Sequence, residues 1–270
     1  MPASTLAPHR LRLSAAEYGY LVERLELSMP PGWEPDPSGG AEPGDLAKRG
    51  VLRGDGDLLA VHPSVEVNLR ILAAPRVMLD TTATIGAAGL HSLHAVAGAL
   101  GASLFALDEN GVEISLYAAT DLGRELIRAV PSDEDSAVGS ALGNGRSVSL
   151  RGRLPLAALQ EMGVAELLRG ADPDAPAAVL VELDLPAVEA ELAREVARRT
   201  DGALVCVITA RVEEGVRTGR VVWLHTEAGW SGIRPEPSAA GRRMVVLEPV
   251  AREDLGVWVA PYVGEALSDG

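Results

Sequence analysis

The sequence is poor in several residues whose scarcity narrows what the protein can do. It holds one cysteine, Cys206, and one lysine, Lys48, among 270 residues. A single thiol can make neither an intramolecular disulfide nor, alone, a cysteine-type zinc site. Because Cys206 lies in the apolar run Ala203 to Ile208, it reads as a buried and inert thiol. Positive charge is also scarce: 24 Lys and Arg stand against 38 Asp and Glu, for a net charge of −14. Binding to nucleic acid rests on clustered cations that displace counterions from phosphates, and here the arginines are interspersed with carboxylates, so no nucleic-acid partner is expected. Avid binding to an anionic membrane is disfavoured for the same reason. No stretch approaches the roughly 18 apolar residues of a membrane-spanning helix, and the N-terminal residues lack a basic segment leading into an apolar core. A cytoplasmic location without membrane insertion is the expectation. What the chain does have is 47% apolar residues. At this size about 73% of its surface can be buried, which excludes general disorder.

Along the chain, Ser14 with Glu17 three positions on forms a capping box for a helix over 14–26, and Leu13 and Tyr18 stand where a hydrophobic staple would form. The segment 28–44, with Pro30, Pro31, Pro35, Pro37 and Pro43, reads as a loop. Val65, Leu69 and Leu72 have helical spacing between Pro63 and Pro75. Val77, Leu79, Thr81, Ala83 and Ile85 alternate as a strand, and residues 90–100 fit either strand or helix. Asp108-Glu109-Asn110-Gly111 reads as a hairpin turn between two further strands. Thr120 or Asp121 then caps a helix that Pro131 ends, and 132–145 reads as an acidic loop.

The second half repeats this order. Helical patterns occupy 155–169 and 185–200, with 170–178 read as a linker loop because of its two prolines. The run 203–212 is β-branched and nearly continuous, which predicts a central strand covered on both faces. Shorter strands follow at 221–224, 230–233 and 244–247, and a closing helix over 252–267 contains Pro261. Short links between strands favour antiparallel pairing. The fold class is therefore α+β, with a central antiparallel sheet and two groups of helices, and a quasi-twofold order. One domain over 1–270 is expected, with pseudo-repeat halves at about 14–130 and 155–267.

Catalytic and cofactor signals are thin. Gly143-Asn144-Gly145 lacks a third glycine and a preceding strand, and with one lysine no phosphate-binding Gly-Lys-Ser/Thr exists. His91 and His94 form H-x-x-H, which on a helix would put two imidazoles on one face, but no zincin pattern surrounds them and they read as ordinary surface or half-buried histidines. His62 reads as a helix cap and His225 as a strand end. Gly139-Ser140-Ala141 is not a nucleophile elbow. The acidic pairs Asp133-Glu134-Asp135 and Glu189 with Glu191 read as solvated faces, and Arg242-Arg243 as a solvent pair at a strand start. No cofactor, metal or catalytic residue is assigned, and the protein is read as a non-enzyme. The tryptophans carry more information: Trp223, Trp230 and Trp258, three of four, lie in the last fifth of the chain. Core filling accounts for any one of them, while their clustering makes the last strands and helix the first place to seek a partner surface.

Three segments carry a resemblance: LSAAEYGYLVERLEL from Leu13, LAKRGVLRGDGDLLAVHPSVEVNLRILAAPRVMLD from Leu46, and GRVVWLHTEAGW from Gly219 with RRMVVLEPVAREDLGVWVAPYVGEAL from Arg242. They contain an L-x-x-R-G-hydrophobic step at Leu46 to Val51 and a helix ending Leu-Ala-x-Pro at Leu72 to Pro75. In these the chain resembles the EspG-type chaperones of actinobacterial ESX (type VII) secretion systems. The replacement of Lys by Arg, with abundant Ala and Gly, agrees with a high-GC genome. The resemblance implies a central antiparallel sheet flanked by two helical groups with quasi-twofold symmetry. It also implies a cytosolic, non-enzymatic role: binding the hydrophobic tip of a helical PE/PPE or WXG-type substrate and keeping it soluble for export. The alternative is a non-catalytic adaptor or regulatory subunit that dimerises through the same surface.

Overall fold

The computed structural model describes residues 9–35, 43–54, 59–107, 111–132, 149–213, 215–237 and 242–268. The expected capping box is present: the Ser14 backbone N–H donates to Glu17 Oε2 at 2.8 Å, and the Glu17 N–H donates to Ser14 Oγ at 3.2 Å. These bonds start helix α1 (Ala15–Arg24) directly from strand β1 (His9–Ser14). Helix α2 (Pro43–Lys48) begins inside the segment read as loop 28–44. After the short strands β2 (Leu52–Arg53) and β3 (Ala60–Val61), α3 (Pro63–Ala73) starts with Pro63, where a missing N–H costs nothing. Four strands follow: β4 (Val77–Ile85), β5 (Ala88–Ala97), β6 (Leu100–Leu107) and β7 (Gly111–Ala118). The ambiguous residues 90–97 are thus strand. Helix α4 (Leu122–Ile127) is entered through a 3-10 turn at Ala119–Asp121, and Asp121 makes no side-chain cap.

The second half runs β8 (Gly152–Pro155), α5 (Leu156–Leu168), α6 (Ala175–Leu183), α7 (Ala187–Arg199), β9 (Gly202–Val212), β10 (Gly215–Thr226), β11 (Gly229–Glu236), β12 (Met244–Pro249) and α8 (Asp254–Ser268). Helix α6 corrects the reading of 170–178 as a linker. Pro176 sits in its first turn, and the proline taken to break structure is one that starts a helix. The acidic loop expected at 132–145 lies, beyond Ser132, outside the described residues.

Ten strands form one antiparallel sheet in the order β1-β7-β6-β5-β4-β9-β10-β11-β12-β8. Its centre is the β4–β9 pair, in register from Val77 opposite Ala210 to Ile85 opposite Gly202, about Thr81 and Cys206. On either side the order is the same: a helix, four strands stepping outward, a helix, and an edge strand from the start of that half. On one face, α4 and α8 cover the middle of the sheet and bury Leu79, Leu204, Cys206 and Ile208. On the other face, α1 to α3 cover β5 to β7, where Leu93, Ala95 and Leu104 are buried. Helices α5 to α7 cover the opposite wing on that same face, over Leu154, Val245 and Leu247.

The expectation that β9 is covered on both faces is corrected. Its residues alternate, with Leu204, Cys206, Ile208 and Ala210 buried and Val205, Val207 and Thr209 only partly so. Thr82 and Thr84 of β4 are exposed on that second face. The middle of the sheet therefore floors a trough between the two helical groups. Among the described residues no helix is long and apolar enough to cross a membrane.

Candidate partner-binding surface

The three tryptophans singled out in the sequence do come together, but largely inside the molecule. Trp223 on β10 is fully buried and Trp230 on β11 nearly so, with ring centroids 6.4 Å apart. Trp258 on α8 meets Trp223 edge-on at 5.9 Å and keeps part of its surface. Its ring lies over Gly232, where a Cβ would come within 2.4 Å of it, so only glycine gives the indole this seat. The Arg234 guanidinium caps the outer face of that indole at 4.0 Å, a cation–π contact. His225 stands edge-on to Trp230 at 4.8 Å, and its Nδ1 is 2.6 Å from Asp201 Oδ1.

The two histidines of H-x-x-H are separated by the strand they sit on. Residues three apart on β5 point to opposite faces, so His91 and His94 do not share a site. His91 faces the trough, 2.8 Å from Asp80 Oδ1 and stacked on Trp33 at 4.1 Å. His94 lies in the interior, edge-on to Phe105 at 5.3 Å. Burial, assisted by the nearby Arg128 charge, lowers its pKa to about 3 and keeps the ring neutral. His62 caps α3, its Nδ1 accepting from the Ser64 N–H at 3.2 Å. Burial likewise pushes the Cys206 thiol up to about 12. Among the described residues no three His, Cys, Asp or Glu side chains are grouped to hold a metal ion. Glu191 pairs with Arg194, and Arg242 and Arg243 are exposed. Residues 133–135, 139–141 and 143–145 lie outside the described residues.

The surface that stands out is on α5 to α7. Helix α5 buries Ala158, Met162 and Ala165 on one face, as its spacing demands, yet carries Val164, Leu167 and Leu168 on the other. Helix α6 is apolar apart from Glu182 and buries only Pro176 fully, leaving Val181 81% exposed. Val188 opens α7 at 82% exposure, and Leu167 is 86% exposed. Five of the nine exposed large apolar side chains among the described residues fall between Val164 and Val188. Isolated exposed leucines are ordinary, but a concentration of them on one helical group marks an interaction surface.

Ion pairs between neighbouring turns frame it: Arg169 with Glu166 at 2.7 Å, Arg198 with Glu195 at 2.6 Å, and Arg194 with Glu191. Two open cavities adjoin it. One, of about 450 Å³, lies where α5 ends against α6 and α7; the other, of about 580 Å³, lies between Leu150 and the Val188–Leu192 turn of α7. Sequence reading missed this surface because it took the start of α6 as a linker. The signal was present: Asp172 and Asp174 before a first-turn proline, then the apolar run Ala177 to Val181.

A sequence model of the EspG family matches residues 41–260. The chain belongs to the EspG family. No curated protein matches it. In fold, this EspG protein is similar to EspG5 of Mycobacterium tuberculosis, a type VII secretion system chaperone solved in complex with the PE25-PPE41 dimer. The TM-score is 0.64 at 11% identity, over 97% of this chain and 95% of that one. The shared fold is the α+β architecture expected above, a large antiparallel sheet with helices at both wings.

Proposed function

We propose that this EspG protein is a cytoplasmic, non-enzymatic chaperone of type VII secretion that holds the apolar tip of a helical PE/PPE-type substrate. The observation that carries the reading is the concentration of exposed apolar side chains, Val164, Leu167, Leu168, Val181 and Val188, on helices α5 to α7. A substrate helix ending in apolar side chains aggregates unless that surface leaves water, and a complementary apolar surface on a folded protein removes it. Covering one such leucine or valine completely is worth about 1.5–3 kcal/mol, so a few of them suffice for a complex of useful affinity. Family membership and the likeness to a chaperone solved with a PE-PPE dimer support the same reading. We infer also that residues 1–270 act as one domain, because the sheet runs unbroken across the junction of its two halves.

The test is Leu167→Ser combined with Val181→Ser. Both side chains are more than four-fifths exposed, so the melting temperature should stay within about 2 °C of wild type, since surface changes usually cost under ~0.5 kcal/mol. Retention of a co-expressed PE-PPE heterodimer should be lost. A double variant that retains the heterodimer as wild type does would refute the surface.

A further inference from the structure

We infer that Arg76, Arg211 and Arg220, on the sheet face between the two helical groups, bind carboxylates of the client, so that the protein accepts a client segment carrying acidic residues beside its apolar ones. This rests on the chaperone reading and adds to it a determinant of which client is held. Strand register places the three side chains on one face. Arg211 continues the alternation of Val205, Val207 and Thr209 on β9, and Arg76 stands opposite it, with the Arg211 N–H donating to the Arg76 carbonyl at 2.8 Å. Arg220 on β10 lies opposite Val207, and residues directly opposite one another in a sheet share a face.

These arginines differ from the others in that nothing neutralises them. Elsewhere an arginine is held by a carboxylate one helical turn away, as Arg70 is by Glu66, Arg169 by Glu166 and Arg198 by Glu195. Among the described residues, Arg76, Arg211 and Arg220 have no ion-pair or side-chain hydrogen-bond partner, in a chain whose 38 acidic residues outnumber its 24 basic ones. Asp80 on β4 is engaged by His91 Nε2 at 2.8 Å, and Glu213, just past the end of β9, meets none of the three. Arg76 and Arg211, like charges directly opposite on neighbouring strands, repel each other, and a carboxylate from outside relieves that repulsion.

The spacing points to a polypeptide as the source of the carboxylates. Val207 is four residues from Arg211, so Arg220 stands about 13 Å along the strands from the Arg76–Arg211 pair. Cations spread over that length match carboxylates about two to three turns apart on one side of a helix, at roughly 5.4 Å per turn. Thr209 and Thr218 lie opposite each other between them, and Val205, opposite Val222, continues the face as an apolar floor. A client helix laid there sets apolar side chains on the valines and acids on the arginines. As it excludes water, each charge-assisted bond strengthens.

The experiment uses a PE-PPE heterodimer that the wild-type protein retains on co-expression. Its affinity is measured at low and high salt for wild type, for Arg211→Gln with Arg220→Gln, and for Leu167→Ser with Val181→Ser. Arg211 and Arg220 are exposed and Arg211 repels Arg76, so the arginine variant should melt at or above the wild-type temperature. It should bind about tenfold more weakly at low salt and lose most of the salt dependence. Poly-glutamate should displace the heterodimer from wild type, and inorganic phosphate should not; phosphate that competes as well would make this a small-anion site and overturn the client assignment. An arginine variant with wild-type affinity and salt dependence, beside a Leu167→Ser, Val181→Ser variant that has lost the client, refutes the arginine site and leaves the chaperone surface standing. If only the arginine variant is impaired, the client lies on the sheet and not on α5 to α7. If both variants bind as wild type does, both readings fall.

Discussion

Trp223→Ala separates a structural role for the tryptophan cluster from a binding role. The indole is fully buried, sits opposite Leu204 and Gly232 in the sheet, and packs against two other indoles at 6.4 and 5.9 Å. Removing it leaves a cavity beneath α8 that the strand backbone cannot close. A buried Trp→Ala change costs about 3–5 kcal/mol, and the loss of two aromatic contacts places this site toward the upper end. For a chain of this size each kcal/mol lowers the melting temperature by roughly 2–4 °C, so a fall of about 6 to 20 °C is expected. Trp258→Ala should cost less, because that ring is partly exposed and gives up one edge contact and the Arg234 cation. Thermal melts followed by near-ultraviolet circular dichroism, run beside heterodimer pull-down, read both effects. A Trp223→Ala protein that melts within about 2 °C of wild type, or that loses its client at an unchanged melting temperature, would show the cluster to be a binding surface and overturn the packing argument.

Three further outcomes follow from buried groups. His94 is held neutral with its pKa lowered to about 3, so between pH 6.5 and 3 the unfolded chain takes up a proton that the native state refuses. Stability is therefore lost as pH falls below 6.5, by up to about 1.4 kcal/mol per pH unit from this group; urea titrations of His94→Leu should show a shallower slope there, and an unchanged slope would contradict it. Cys206, raised to about 12 by burial, should resist a maleimide in the native protein and label rapidly in denaturant, and equal rates would place the thiol outside the core. Gly202→Ala would put a Cβ 2.2 Å from the Thr84 carbonyl oxygen, a backbone atom of the neighbouring strand. A loss of at least about 1–3 kcal/mol is expected from this overpacking, and a variant as stable as wild type would mean that β4 and β9 are not so closely joined.

What the sequence determined by itself is what neighbouring residues decide among themselves. Ser14 and Glu17 make their capping box, His62 caps its own helix, and β4 alternates as written, because each depends on groups within a few residues; β6 and β7 pair as two neighbouring strands, while the turn expected at 108–110 lies outside the described residues. The EspG architecture was legible for a related reason: two series of short, closely linked strands flanked by helices leave few antiparallel arrangements. Other features belong to the tertiary structure alone. Residues 88–97 became a strand because β4 and β6 offered hydrogen bonds on both sides, and that parted His91 from His94. Helix α6 exists because α5 lies against it, which outweighs a composition that reads as a linker. The depth of Trp223 is set by α8, some thirty residues later, so its surface could not be judged from its own neighbourhood. The exposed leucines and valines of α5 to α7 are likewise only apolar letters in the sequence. Only the packing of three helices decides which of them turn to the core and which are left facing water, because burial is a property of the whole assembled surface and not of any one segment.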